Sequence, residues 1–399
     1  MLTLLLLSLA SCQQPAATAP LTVEGGYAAS AEAAPGAEIH VWAHVPIQTH
    51  VFLGWEGPAV QHLSDPLCWH AILTVPDGGL PHAAPHLRAR IAPAAAEIQT
   101  LTFTGPARAK ELDWAVPSGE LRGLVFFFHE SDARRGFIRK PEAWHLALTL
   151  LHHGFAVAAL TSEETDAQDP GEDKLLRWNG REMEVEKNLD MQNVQAARAA
   201  LIAAGAVSEN TPCFGIGNGN GGTFAVSAAE ALGWKAAASI CGPGRKELLA
   251  TSSVPVFWSL YAKDTTIKGI VDNARESRDL LAERGIPVDL ALHQPSPFRS
   301  ERLVDRCGMD QRFAQDLTAI MRRVGMLDEA GTLLLPANFV TGRMEAEKNN
   351  FEDLYTWIAE DMTRFQDLTV QVRVCTSEHV MSGDDALRLT RFFAARLAE

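Results

Sequence analysis

The sequence predicts an α/β protein, a mostly parallel sheet with helices on both faces, preceded by a small all-β module. Three observations predict it. From about residue 98, apolar runs of strand length alternate with runs of helical period, the pattern of successive βαβ units. Gly123-Leu124-Val125-Phe126-Phe127-Phe128 is an unbroken apolar run, as expected of a parallel strand covered on both faces. Upstream, Ile39, Val41, Ala43 and Val45 alternate with His40, Trp42 and His44, the period of two of a half-buried strand.

The 399 residues include 35 Lys and Arg against 49 Asp and Glu, a formal charge of −14. Hydrophobic residues make up 47% and charged residues 21%. This size and composition suit two or three domains with cores of their own and exclude a disordered, collagen-like or polytopic membrane chain. The acidic balance argues against nucleic acid as a partner, since phosphate binding needs a basic surface.

In chain order, Leu2 to Ala10 is an apolar run that as a helix would span about 14 Å, against about 30 Å of hydrocarbon. It is too short to cross a membrane and has the length of a signal-peptide core. Its end, Leu9-Ala10-Ser11-Cys12, resembles a bacterial lipobox. That resemblance implies residues 1–12 as a lipoprotein-type signal segment, lipidation at Cys12, a place in the cell envelope, and membrane contact through a lipid anchor alone. The other reading of these residues is a buried or frayed N-terminal helix. Residues 13–20 read as a polar tether.

Residues 21–95 form the β module, with further strands at Val51 to Trp55 and Trp69 to Val75, punctuated by Gly, Pro and Asp. Around Gly54-Trp55-Glu56-Gly57 the module resembles the internalin-type B-repeats of bacterial secreted proteins, small β folds used as spacers or adhesive units. His40 and His44 would share one strand face as a possible metal pair. No spacing supplies further ligands, so no metal is expected. The six cysteines, at 12, 68, 213, 241, 307 and 375, form no CxxC or zinc-like pattern either.

Residues 96–399 form the α/β domain. Strands are expected at Ile98 to Thr104, Glu111 to Val116, Gly123 to Phe128, Phe155 to Leu160, Pro212 to Ile216, Ala236 to Ile240 and Val254 to Tyr261. Helices are expected at Ala143 to His153, Val194 to Ala204, Thr223 to Leu232 and Asp272 to Arg284. A charged, mostly helical insertion occupies about 299–365. A last strand is expected at Val370 to Val374, and a C-terminal amphipathic helix at Asp384 to Leu397.

The segment Cys213 to Ala225, CFGIGNGNGGTFA, follows a strand and opens a helix. This is the setting of a nucleophile elbow, small-x-nucleophile-x-small, a sharp turn that lifts a reactive side chain off the sheet. The pattern falls on Gly217 to Gly221 and puts Gly219, which has no hydroxyl or thiol, at the nucleophile position. Gly217-x-Gly219-x-x-Gly222 also fits a dinucleotide fingerprint. That motif wants an acid at the end of the next strand, and Ala236 to Ile240 ends in Cys241-Gly242-Pro243. No nucleotide or other cofactor is expected, although a glycine-rich helix N-terminus can hold an anion.

With His129 after the apolar strand, Asp264 after Leu260-Tyr261-Ala262-Lys263, and Thr376-Ser377-Glu378-His379 near the end, the chain runs nucleophile, acid, histidine. In this order it resembles α/β-hydrolases, specifically secreted bacterial esterases of the polyhydroxybutyrate-depolymerase and dienelactone-hydrolase kind. The resemblance implies an α/β-hydrolase fold and a triad of Gly219 (degenerate), Asp264 and His379, with His293 as a rival histidine. It also implies an oxyanion region at His129, Glu130 and Asn220, and an ester-like or polyester ligand. Two departures stand out. Serine is replaced by Gly219, and Glu130 stands where the family has glycine, a negative charge opposing the oxyanion it would have to stabilise. The expectation is a catalytically impaired pseudo-hydrolase that keeps its pocket. The alternatives are a hydrolase with a non-standard nucleophile and a non-catalytic surface adhesion protein.

Overall fold

The computed structural model describes residues 18–163 and 175–398. The lipobox-like segment and Cys12 lie outside the described residues. Among those described, no helix is long and apolar enough to cross a membrane.

Eight strands make one sheet: β1 (Gln99–Thr104), β2 (Ala109–Ala115), β3 (Gly123–Phe128), β4 (Phe155–Leu160), β5 (Cys213–Asn218), β6 (Ala236–Ile240), β7 (Val256–Tyr261) and β8 (Val288–His293). Their spatial order is β8-β7-β6-β5-β3-β4-β2-β1; β2 pairs antiparallel with both of its neighbours, and every other pair is parallel. Helices α1 (Pro141–His152), α2 (Leu189–Ala203), α3 (Asn220–Leu232) and α4 (Ile270–Glu283) cover the two faces. This is the α/β-hydrolase fold. The apolar run of β3 is explained by that double cover. Phe126 and Phe128 enter the core on one face and Val125 and Phe127 the core on the other. All four are completely buried, each phenylalanine being worth about 1.5–3 kcal/mol.

The expected strand at Val370 to Val374 does not form. After β8 come five helices: α5 (Ser300–Cys307), α6 (Gln311–Arg323), α7 (Ala337–Ala346), α8 (Glu352–Glu360) and α9 (Thr363–Thr376). The helical insertion therefore runs on to Thr376. Alternating valines at 370, 372 and 374 imitate a strand. At helical spacing, however, Leu368, Val372 and Cys375 turn into a core the insertion builds for itself with Leu303, Leu317, Met321 and Val340. Tertiary burial outweighs the modest β preference of valine. The last helix, α10 (Ala386–Ala395), packs on α1.

The N-terminal segment forms two three-stranded sheets around Trp42, Trp55 and Trp69. It is joined to the rest by a buried polar network. Arg302 and Arg306 of α5 lie under the Trp69 ring, 5.1 and 4.3 Å from its centroid. Both guanidinium groups reach the buried carboxylates of Glu142 and Asp384 at 3.4–3.6 Å. Gln371 completes the knot, accepting from Arg302 and donating to Glu142. Leu387 of α10 also enters the module's own apolar core.

Candidate active site

The turn between β5 and α3 is built by glycine. At Gly219 φ is 55° and ψ is −116°, a region that costs a side-chain-bearing residue about 1–3 kcal/mol. Close packing explains its neighbours: a Cβ on Gly217 would lie 2.0 Å from the Gly221 carbonyl oxygen. These glycines let helix and strand approach, which accounts for the fingerprint without a nucleotide. A Cβ placed on Gly219 would meet His379 Nε2 at 3.4 Å and Glu130 Cβ at 3.6 Å, ordinary contacts.

His379 and Asp264 come together, with Nδ1 of the ring 2.7 Å from Asp264 Oδ2. Burial favours the neutral acid, but the hydrogen bond and charge of His379, with the Thr266 N–H, hold Asp264 below the usual carboxylate range. The dyad leaves Nε2 facing Gly219 and the cleft. Among the described residues no hydroxyl or thiol bonds to that nitrogen, and Glu130 Oε2 stands 4.0 Å away. Asn218 Nδ2 donates to the same Glu130 oxygen at 2.7 Å, which steadies the carboxylate at the site's mouth.

His379 is not held by a strand, since five helices separate it from β8. Ser377, in a left-handed conformation at the end of α9, pins the loop instead. Its hydroxyl donates to the His293 carbonyl and accepts from the Ala262 N–H, and its carbonyl accepts from the Lys263 N–H. The ends of β7 and β8 thereby fix the ring. No local sequence signal marks Ser377 for this task.

Three other expected residues are placed differently from a catalytic set. His129 is fully buried. Burial pushes its pKa down to about 4, and it acts as a brace, with Nδ1 bonded to the Glu130 carbonyl and Nε2 accepting from the Ser162 N–H. Asn220 uses its side chain to clamp the backbone of Trp178 in both directions. His293 pairs with Asp385 Oδ2 at 2.7 Å, away from Gly219. In the module, His40 Nδ1 lies 2.9 Å from His70 Nε2, while His44 pairs with Asp305 of the insertion, so the two are drawn to different partners.

Donor atoms of Cys241, Asp264 and His379 lie within 4.8 Å of one another. The Cys241 thiol donates to the Val380 carbonyl, and burial raises its pKa well above the ordinary value, which favours the neutral thiol.

Two cavities meet at Glu130, Arg373 and His379. One, of about 1240 Å³, opens over Gly219 and Asn220 toward Arg181 and Arg245. The other, of about 410 Å³, is lined on its apolar side by Phe137, Phe365, Val370, Val380 and Met381.

No family model matches the sequence, and no curated protein matches it. Solved structures similar to it are α/β serine hydrolases. An S-formylglutathione hydrolase from Agrobacterium tumefaciens is 13% identical, with TM-score 0.39, covering 50% of this chain and 86% of its own. A dienelactone hydrolase from Anabaena variabilis is 16% identical, with TM-score 0.35 and coverage of 50% and 86%. An α/β serine hydrolase homologue from Coxiella burnetii is 12% identical, with TM-score 0.36 and coverage of 54% and 95%.

Proposed function

We propose that this protein is a pseudo-hydrolase, an esterase-like frame that has lost its nucleophile and retains a ligand pocket, exported and anchored through Cys12. The observation that carries this reading is the pairing of an intact His379–Asp264 dyad with a glycine in the elbow conformation that the ring faces. Loss of the nucleophile from such a triad costs up to about 10⁶ in kcat. The Glu130 carboxylate works against any oxyanion formed beside it. Purified protein is expected to turn over p-nitrophenyl esters no faster than His379→Ala; turnover that depends on His379 would overturn the reading. For the anchor, wild type is expected in the detergent phase and Cys12→Ala in the aqueous phase. Equal partitioning of the two argues against lipidation.

A further inference from the structure

The larger lobe is cationic although the chain as a whole carries −14. Its described lining includes five arginine or lysine side chains and two glutamates. Lys246 is paired with Glu276, and Arg177 is already partnered. Arg181 and Arg245 have no carboxylate partner among the described residues. Arg245 Nη1 rests on the carbonyls of Gly180 and Arg181 at 2.9 and 3.0 Å, which fixes the guanidinium and leaves its other nitrogens to the lobe. Arg373, where the lobes meet, has a buried Nε with no partner. A cleft with an excess of positive charge in its lining attracts anions, and arginine suits planar oxyanions.

The two lobes differ in kind. The smaller one offers an apolar wall and a volume in the range of small-molecule sites. Glu130 stands at the junction and repels an acid group there, so an acid must lie outward, against Arg245 and Arg181.

We infer that the pocket takes an amphiphilic ligand, an apolar acyl segment in the small lobe joined to an oxyanion head held by Arg245 and Arg181 in the large one. This rests on the reading of the site as a retained, non-hydrolytic pocket, and it names the ligand class. The head is a carboxylate or a phosphate, which share this chemistry.

The test is calorimetric titration of the full-length protein with octanoylglycine, its methyl ester, acetylglycine and octyl phosphate. Octanoylglycine is expected to bind at least about tenfold more tightly than the methyl ester, through charge-assisted hydrogen bonds. It should exceed acetylglycine by a similar factor through the buried chain. The acid's advantage should disappear in the double variant Arg181→Gln and Arg245→Gln, and persist in Arg90→Gln, a cation of the module remote from the cleft. In the wild type it should shrink as salt is raised, which tests the charge even where a variant fails to fold. Octyl phosphate binding more tightly than octanoylglycine, with the same arginine dependence, assigns the head as phosphate. Methyl ester binding as tightly as the acid overturns the inference and leaves the pocket reading standing. Absence of binding by all four overturns the inference as well. Release of methanol from the ester, dependent on His379, overturns the pseudo-hydrolase reading itself.

Discussion

Two His–Asp pairs in this molecule have the same 2.7 Å separation and nearly the same ring exposure, 15% for His379 and 16% for His293. His379 lines both cavities described above, and His293 lines neither. His379 gives Nδ1 to Asp264 and turns Nε2 toward Gly219. His293 shares its carboxylate oxygen, Asp385 Oδ2, with the Ser259 hydroxyl, each at 2.7 Å. A relay needs serine on one ring nitrogen and the carboxylate on the other, whereas here Ser259 Oγ, at 3.3 Å, and Asp385 Oδ2 both lie on Nε2 of His293. Cys68 adds a third donor to the same carboxylate. The pair that still has a serine is thus buried in a polar joint, and the pair that faces the cleft has none. Residue types and distances do not make a triad. Connectivity and an open face do.

The sharpest way to break this contrast is to remove one member of each pair. Asp385→Ala leaves His293 buried without its counter-charge and is expected to cost about 3–5 kcal/mol in urea unfolding. His379→Ala leaves Asp264 with its Thr266 hydrogen bond and is expected to cost about 1–3 kcal/mol. Equal losses would mean that the two pairs do the same work.

Gly219→Ser sharpens the chemical half of the contrast. The new side chain enters at φ 55°, so stability should fall by about 1–3 kcal/mol, and a fluorophosphonate should label the serine. Labelling should decline when His379 or Asp264 is also replaced. Adding Glu130→Gly should raise turnover beyond the sum of the single effects, because both act on one reaction centre. A folded, unlabelled single variant would remove Gly219 from the elbow.

The smallest effects should appear in the pH profile of stability. At His293 burial opposes protonation, but the Asp385 charge and hydrogen bond win and raise the ring's pKa above 6.5. Its contribution is complete below pH 6.5 and fades as pH rises through the raised value. His129 and His70 act oppositely. Burial lowers His129 to about 4, and burial with the nearby His40 lowers His70 to about 3. Their contribution is present above pH 6.5 and is lost as pH falls toward those values. Unfolding across pH 4–9 should therefore give a dome, and His293→Gln should flatten its alkaline limb alone. An unchanged alkaline limb would show that the His293 ion pair carries no stability.

Much of this was legible in the sequence, for physical reasons. A doubly covered strand must be apolar throughout, as β3 is, and an elbow must be glycine-rich where helix meets strand. Gly219 and Asp264 follow the ends of β5 and β7, while His379 comes on the loop after α9. What stayed hidden depends on distant partners. Val370 to Val374 alternates like a strand until the insertion's core gives its helical face a place to go. His379 is ranked over His293 in the sequence by motif order alone, because the positions of Ser259 and Asp385 around His293 are not legible there. Ser377, Arg245 and Arg373 have no local signature, since their roles come from loops tens of residues away.

The arginine knot under Trp69 has a consequence for how the molecule comes apart. The module contributes Trp69, the insertion Arg302 and Arg306, and the helical layer on the sheet Glu142 to one buried centre with Asp384, and removing the module would uncover its charges. The chain should melt in a single cooperative transition, and a version beginning at residue 96 should lose the insertion's alignment along with the module. Since α9 and the loop after it carry His379, damage to the N-terminal module would reach the cleft. The front module is then a keystone of the pocket, and it could not be exchanged for a spacer of equal length.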